Sequence, residues 1–296
     1  MKNLARSRYF FKFDYNTIPG VGTDLNAESV GDGLLEHCRA YVDWLDDLRR
    51  RHPDVMIENC GSGAMRADYA QLSRLDLQST SDQCDPLIYA AIAAGAGMTI
   101  LPEQQGNWGY AQQEMDDETA VFTLATGVLG RLYLSGFIDR MTEPRLSLVR
   151  DAIALHRCVL ADQQHMVPFW PSGLPDFDGD WLAVGLRHVE TDMGDAYVYG
   201  ESAWNEQAAE QNDQQPQPED KPDYIIVWRR GGTPSVNMPL DADQTIEQVF
   251  PNPAEPDHAP DAEPWTIERM DPETVRLNAT TSKRPSARIF AIRRRG

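Results

Sequence analysis

Two aspartates stand where chemistry is done in sheet proteins, each at the end of a short run that reads as a β-strand. Asp14 closes Tyr9-Phe10-Phe11-Lys12-Phe13-Asp14-Tyr15-Asn16, and Asp82 closes Leu77-Gln78-Ser79-Thr80-Ser81-Asp82. Two carboxylates flanking one glycosidic bond can cleave it, one attacking the anomeric carbon and the other protonating the departing oxygen. Their roles require opposite protonation states. Lys12, two residues before Asp14 and so on the same side of its strand, is expected to keep Asp14 ionised, as a nucleophile must be. Asp82 has no cation within four residues and lies near Pro86-Leu87-Ile88. Those surroundings are expected to raise its carboxyl toward the range of a general acid.

A third strand end lies between them. Val55-Met56-Ile57-Glu58-Asn59-Cys60 runs into Gly61-Ser62-Gly63, a turn of small residues that lets a ligand approach the backbone. Strand tips that gather polar groups mark the carboxyl face of a parallel sheet or barrel as an active site. An aspartate ending a strand is by itself most often a helix cap or turn former. It is the combination of both with Lys12, Asn16 and the Glu58-Asn59-Cys60 turn that points to a site. Trp108, in Gln104-Gln105-Gly106-Asn107-Trp108-Gly109-Tyr110, is a candidate sugar-stacking wall, with core packing an equal alternative. Glu103 is an alternative acid, ranked below Asp82 for want of a motif around it. Asp68 and Asp85 read as caps or partners of Arg66, and Cys60, with no histidine near the motifs, as packing or sugar contact rather than nucleophile. His156, His165 and His188 fall far from the motifs and read as ordinary.

The elements that must position these groups alternate. Strands are expected near Tyr9 to Phe13, Val55 to Glu58, Leu77 to Ser81, Met98 to Leu101 and Leu132 to Ser135, each followed by a helical pattern. The clearest helices are Gly33 to Arg51, closed by Pro53, and Asp139 to Leu160. After Val167-Pro168-Phe169-Trp170-Pro171 the pattern changes to strands without helices, at Trp181 to Leu186, Ala196 to Tyr199, Tyr224 to Trp228 and Arg288 to Ile292. This predicts a domain over 1–165 and a small antiparallel β domain over 166–296. Glu206 to Asp223 and Pro251 to Pro264 read as solvent loops.

Composition excludes some partners. The chain has 296 residues, and 27 basic against 46 acidic side chains give a formal charge of −19, which repels phosphate backbones and anionic lipid. No nucleic acid and no membrane are expected as partners. The four cysteines form no CxxC pair, no histidine stands at zinc-ligand spacing, and no metal or cofactor is expected. No secretory leader or membrane-length apolar run is present, so a cytoplasmic location is the expectation.

Lys12-Phe13-Asp14-Tyr15-Asn16, then Glu58-Asn59-Cys60-Gly61-Ser62-Gly63-Ala64-Met65-Arg66-Ala67-Asp68, then Ser81-Asp82-Gln83-Cys84-Asp85 resemble three successive motifs of glycoside hydrolase family 36, the microbial α-galactosidases. The resemblance implies an α/β fold: a partial (β/α)8 TIM barrel, strands 4 to 8, followed by a small antiparallel β domain. It implies Asp14 as catalytic nucleophile and Asp82 as acid/base in a retaining double displacement. It also implies Lys12 and Asn16 as ligands of the galactose hydroxyls, and Cys60, Gly61, Ser62 and Gly63 as the turn against the sugar near its 2-hydroxyl. The expected substrates are α-galactoside oligosaccharides.

The family commonly has Gly where this chain has Ala64, and Trp and Met at Phe13 and Tyr15. A larger departure is that the chain begins at what would be the fourth barrel strand. Five of eight strands cannot close a barrel. The expectation is therefore a C-terminal portion with little activity alone, working as a homo-oligomer or with a separate N-terminal chain. Alternatives are galactosyl transfer as in raffinose-forming relatives, action on α-N-acetylgalactosaminides, and a non-catalytic carbohydrate-binding or assembly protein.

Overall fold

The computed structural model describes residues 9–189, 221–280 and 285–295. Within them the chain forms two compact units, one running through Asp82 and the other from Gln83 onward.

The first unit alternates strand and helix: β1 (Tyr9–Phe13), α1 (Val30–Arg51), β2 (Val55–Asn59), α2 (Tyr69–Leu72) and β3 (Leu77–Ser79). The strands pair in parallel, with Lys12 opposite Glu58, Phe13 opposite Asn59, and Glu58 opposite Leu77. Because side chains alternate across a strand, this register puts Lys12, Asp14, Glu58, Cys60 and Ser79 on one face and Phe13, Ile57 and Asn59 on the other. The second face packs on α1, where Tyr41, Leu45 and Leu48 meet Phe13, Val55, Ile57 and Leu75. The Ser29 hydroxyl caps α1 by accepting from Asp32 N–H at 3.1 Å, and the helix ends at His52, just before Pro53. Asp76 fastens the helix to the sheet, accepting two bonds from Arg49 at 2.8 and 3.0 Å and one from the Ile57 N–H at 3.0 Å.

Among the described residues β1 pairs on one side only, with β2. Its side chains stay open on both faces, Tyr9, Phe10 and Phe11 being 60, 52 and 51% exposed.

The second unit contributes α3 (Pro86–Ala96), β4 (Gln105–Gly109), α4 (Asp117–Val128), β5 (Arg131–Leu134) and α5 (Glu143–Asp162). Strands follow: β6 (Met166–Phe169), β7 (Trp181–His188), β8 (Asp223–Arg229), β9 (Ser235–Pro239), β10 (Gln244–Phe250), β11 (Thr266–Asp271), β12 (Thr274–Asn278) and β13 (Ser286–Arg294). β4 and β5 pair in parallel. The later strands make two antiparallel sheets, ordered β10-β13-β8-β7-β6 and β11-β12-β9. One core joins α3, α4 and α5 to one face of the larger sheet through Phe122, Leu124, Leu148, Ile226 and Trp228. A second lies between the two sheets around Ile225, Val227, Trp265, Leu277 and Phe290.

The strand-then-helix alternation runs five times, as expected from sequence. One strand stands elsewhere than expected. Met98 to Leu101 prolongs the end of α3, where Met98 N–H and Ile100 N–H donate to Gly95 and Ala96 carbonyls at 3.0 Å each, and the strand is Gln105–Gly109. Trp108 therefore sits inside a strand rather than after one. The β region holds two sheets, not one, since β9, β11 and β12 form a second, and β10 is added to the first. The expected strand at Ala196 to Tyr199 lies outside the described residues, as does the loop from Glu206 except at its end, where Asp223 opens β8.

Candidate active site

The site is built at the C-terminal tips of β1 and β2 and the stretch after β3. Asp14 follows β1 directly, and parallel register brings it beside Cys60, whose N–H donates to the Phe13 carbonyl at 3.0 Å. The Asp14 side chain accepts from Gly61 N–H at 3.3 Å. Its carboxyl is held below the usual aspartate value, first by a hydrogen bond from the buried Cys60 thiol, then by bonds from Ser62 N–H, Asn16 and Gly61 N–H. Ser62 N–H is shared, its shorter bond running to Asn16 Oδ1 at 2.6 Å.

The Asp14 carboxyl is thus lowered, with hydrogen bonds rather than a cation as the leading cause. The Lys12 ammonium makes its bonds to the next strands instead, donating to Ser79 Oγ at 3.0 Å and pairing with Glu58 Oε1 at 3.3 Å. Ser79 Oγ in turn donates to Glu58 Oε1. Glu58 is 2% exposed. Burial alone would lower the Lys12 amine, but Glu58, with Cys60 and Asp14, outweighs it and raises it. Sequence reasoning takes Glu58 only as part of the turn after β2, with no partner for it, and passes over Ser79. The signal available was parity: a charged residue on the same face as Lys12 in the adjacent parallel strand.

The turn between Asn59 and Ala64 explains its own composition. Gly61, Ser62 and Gly63 all take positive φ, 117°, 49° and 83°. A Cβ on Gly63 would stand 2.5 Å from Ser81 Cα and 2.8 Å from Asp82 N. Glycine there lets the turn lie directly against the Ser81-Asp82 backbone, which is how the third motif is brought to the second. Gly61 approaches the first motif, where an added Cβ would lie 3.2 Å from the Tyr15 carbonyl oxygen. Buried Gln78 and Asn59 clamp the turn from the helix side. Gln78 Nε2 donates to the Gly63 carbonyl at 3.2 Å, and Asn59 Nδ2 donates to Gln78 Oε1 at 2.7 Å and to the Arg66 carbonyl at 2.9 Å. Arg66 holds the stretch after β1, donating to the Tyr15 and Thr17 carbonyls at 2.9 and 2.8 Å with its guanidinium 3.6 Å from the Tyr15 ring centre.

Lys12, Asp14, Asn16, Cys60, Gly61, Ser62, Gly63 and Asp82 thus belong to the same unit, and the turn touches both the first and the third motif. Asp82 lies three residues past β3, exposed to solvent. Trp108 belongs to the second unit, stacked on Tyr110 with ring centres 5.8 Å apart and edge-on to Tyr133 at 5.1 Å. Asp68 and Asp85 cap α2 and α3, accepting from Gln71 and Leu87 N–H at 3.0 and 2.8 Å. Glu103 precedes β4 instead of ending a strand. Burial raises its carboxyl, and Arg131 Nε donates to its backbone carbonyl at 2.6 Å. Among the described residues no group of three or more His, Cys, Asp or Glu side chains is placed to hold a metal. No helix among them is long and apolar enough to cross a membrane.

No family model matches the sequence, and no curated protein matches it. Solved structures do match in fold, and they define a class: the fold is that of part of the glycoside hydrolase family 36 α-galactosidases. One is AgaA of Geobacillus stearothermophilus, determined in complex with raffinose, with TM-score 0.64 and 14% identity over 97% of this chain and 35% of that one. The galactosidase domain of the α-galactosidase-sucrose kinase AgaSK gives 0.65 and 14% over 96% and 34%, and the α-galactosidase of Lactobacillus brevis 0.62 and 15% over 96% and 35%. The chain spans about a third of the length of these proteins.

Proposed function

We propose that this chain carries the nucleophile and acid/base of a retaining α-galactosidase, acting on terminal α-galactosyl residues of oligosaccharides. The observation that carries the reading is the Asp14 carboxylate, held ionised by the Cys60 thiol and the Gly61 and Ser62 amides, on a turn whose Gly63 lies against the Asp82 backbone. In this reading Asp14 Oδ attacks the anomeric carbon as the glycosidic C–O bond breaks. Asp82 gives its proton to the departing oxygen, then takes one from the water that opens the glycosyl ester. Lys12 and Asn16 hold sugar hydroxyls, the Cys60-Gly63 turn faces the sugar, and Trp108 is a candidate stacking wall. No cofactor enters this chemistry.

The strands correspond in this proposal to barrel strands 4 to 8, with catalytic and β domains meeting near residue 165. The open aromatic edge of β1 and the one-third coverage of the similar structures favour a second element of the reading: efficient turnover needs further barrel strands, in a longer polypeptide, an assembly of copies or a separate chain. The same two facts are what favour the alternative of a non-catalytic carbohydrate-binding module. Hydrolysis of 4-nitrophenyl α-galactoside, followed by NMR of the first-formed galactose anomer, tests the assignment. The 296-residue chain is expected to give slow release of the α-anomer, abolished in Asp14→Asn. Galactose binding with no turnover, even after adding the N-terminal portion of a similar α-galactosidase, would favour the module.

A further inference from the structure

The buried acid on the floor of the site does nothing in the chemistry described so far. Glu58 on β2, Ser79 on β3 and Lys12 on β1 form a line across three adjacent strands on the face that carries Asp14. Its members differ in exposure: the Glu58 side chain is 3% exposed and that of Lys12 31%. Ser79 is fully buried and bridges the two, receiving from Lys12 Nζ at 3.0 Å and donating to Glu58. A carboxylate sealed in a sheet is costly unless paired, and a lysine stem is flexible unless its head is held. Each group therefore answers the other's requirement. If the pair served packing alone, an apolar pair of similar volume would serve as well.

We propose that Glu58, seconded by Ser79, is a positioning residue: it anchors the Lys12 ammonium in one orientation at the strand tips so that the lysine meets a ligand hydroxyl beside Asp14 as a fixed donor. This rests on the reading of the site as sugar-binding. The groups facing the ammonium include Glu58 and Cys60 from the β2 side, Asp14 from its own strand and neutral Ser79 from β3. Of these Glu58 contributes the largest attraction.

The chain has only four lysines, so Lys12 Nζ is assignable by ¹⁵N NMR with Lys12→Met as control. In the full chain, Glu58→Gln is expected to lower the pH at which Lys12 Nζ titrates and to speed its proton exchange. It is also expected to weaken galactose binding, measured by calorimetry, about tenfold. Lys12→Met should weaken galactose equally, and the double variant no further. A folded Glu58→Gln protein with unchanged Lys12 titration and unchanged galactose affinity overturns the proposal. Should that variant fail to fold, Ser79→Ala, which strands no charge, is expected to shift Lys12 in the same direction by less, and no shift overturns it. If the unaltered chain binds no galactose, the sugar-site reading fails, while the Lys12 titration still decides whether Glu58 holds the lysine.

Discussion

At the residue scale the central question is where Asp14 gets its charge. The sequence offers Lys12 as the obvious source, being two residues away on the same side of the strand. The fold pairs that lysine chiefly with Glu58 and makes hydrogen bonds, from the Cys60 thiol first, the leading cause at Asp14. Stabilising an anion with donors keeps it ionised without locking it in an ion pair, which suits a group that must approach carbon. Because the folded value is lowered, the stability linked to Asp14 is present above the ordinary aspartate range and is lost as pH falls through the folded value. Carboxyl ¹³C NMR is expected to show Asp14 titrating below about 3.9, the usual aspartate value. Cys60→Ala is expected to move the titration upward. An unchanged titration in Cys60→Ala would mean that the thiol is not the main donor.

Among the elements, the turn after β2 is the part that makes one site of three motifs. Its glycines were legible in the sequence as a place of close approach, but not what they approach. Only the parallel register and the Gly63 contact with Ser81 and Asp82 supply that. Gly63→Ala meets both a positive φ and a backbone collision, so it is expected to cost about 3 kcal/mol in chemical denaturation, with loss of any galactose binding. A loss under about 0.5 kcal/mol would mean that the turn is free to move. The helix α1 and the strand tips were readable because periodicity and Pro53 mark them. Strands such as Thr266–Asp271, exposed at every position, carry no alternation, and their place in a sheet is set by partners distant in sequence. The Gln105–Gly109 strand escapes a sequence reading for a similar reason, since it has no β-branched residue, while the apolar run before it ends a helix.

For the whole molecule, the deepest tie in the second unit is electrostatic. Arg288 of β13 forms a two-pronged pair with Glu118 in the first turn of α4 at 2.7 and 2.8 Å, both side chains almost fully buried. Arg288 also donates to the Glu263 carbonyl at 2.6 Å. Nothing in the sequence pairs residues 170 positions apart. Arg288→Ala removes the two-pronged partner of the buried Glu118 carboxylate and is expected to cost about 3 to 5 kcal/mol by urea unfolding, whereas Arg288→Met with Glu118→Leu should cost far less. Equal losses for both would mean that the pair is a net source of stability. In the first unit the aromatic β1 strand pairs on one side only among the described residues, and the proposed function places further barrel strands there.

The most direct test of Asp14 as nucleophile is covalent. An α-galactose-configured cyclophellitol aziridine reacts by attack of the nucleophilic carboxylate on the carbon corresponding to C1, opening the C–N bond as the nitrogen takes a proton, and leaves a stable ester. Peptide mass spectrometry of the treated chain, alone and with the N-terminal portion of a similar α-galactosidase, is expected to find one adduct, on Asp14, absent in Asp14→Asn and reduced in Asp82→Asn. An adduct on another carboxylate, or none under either condition with the chain folded, would contradict the assignment.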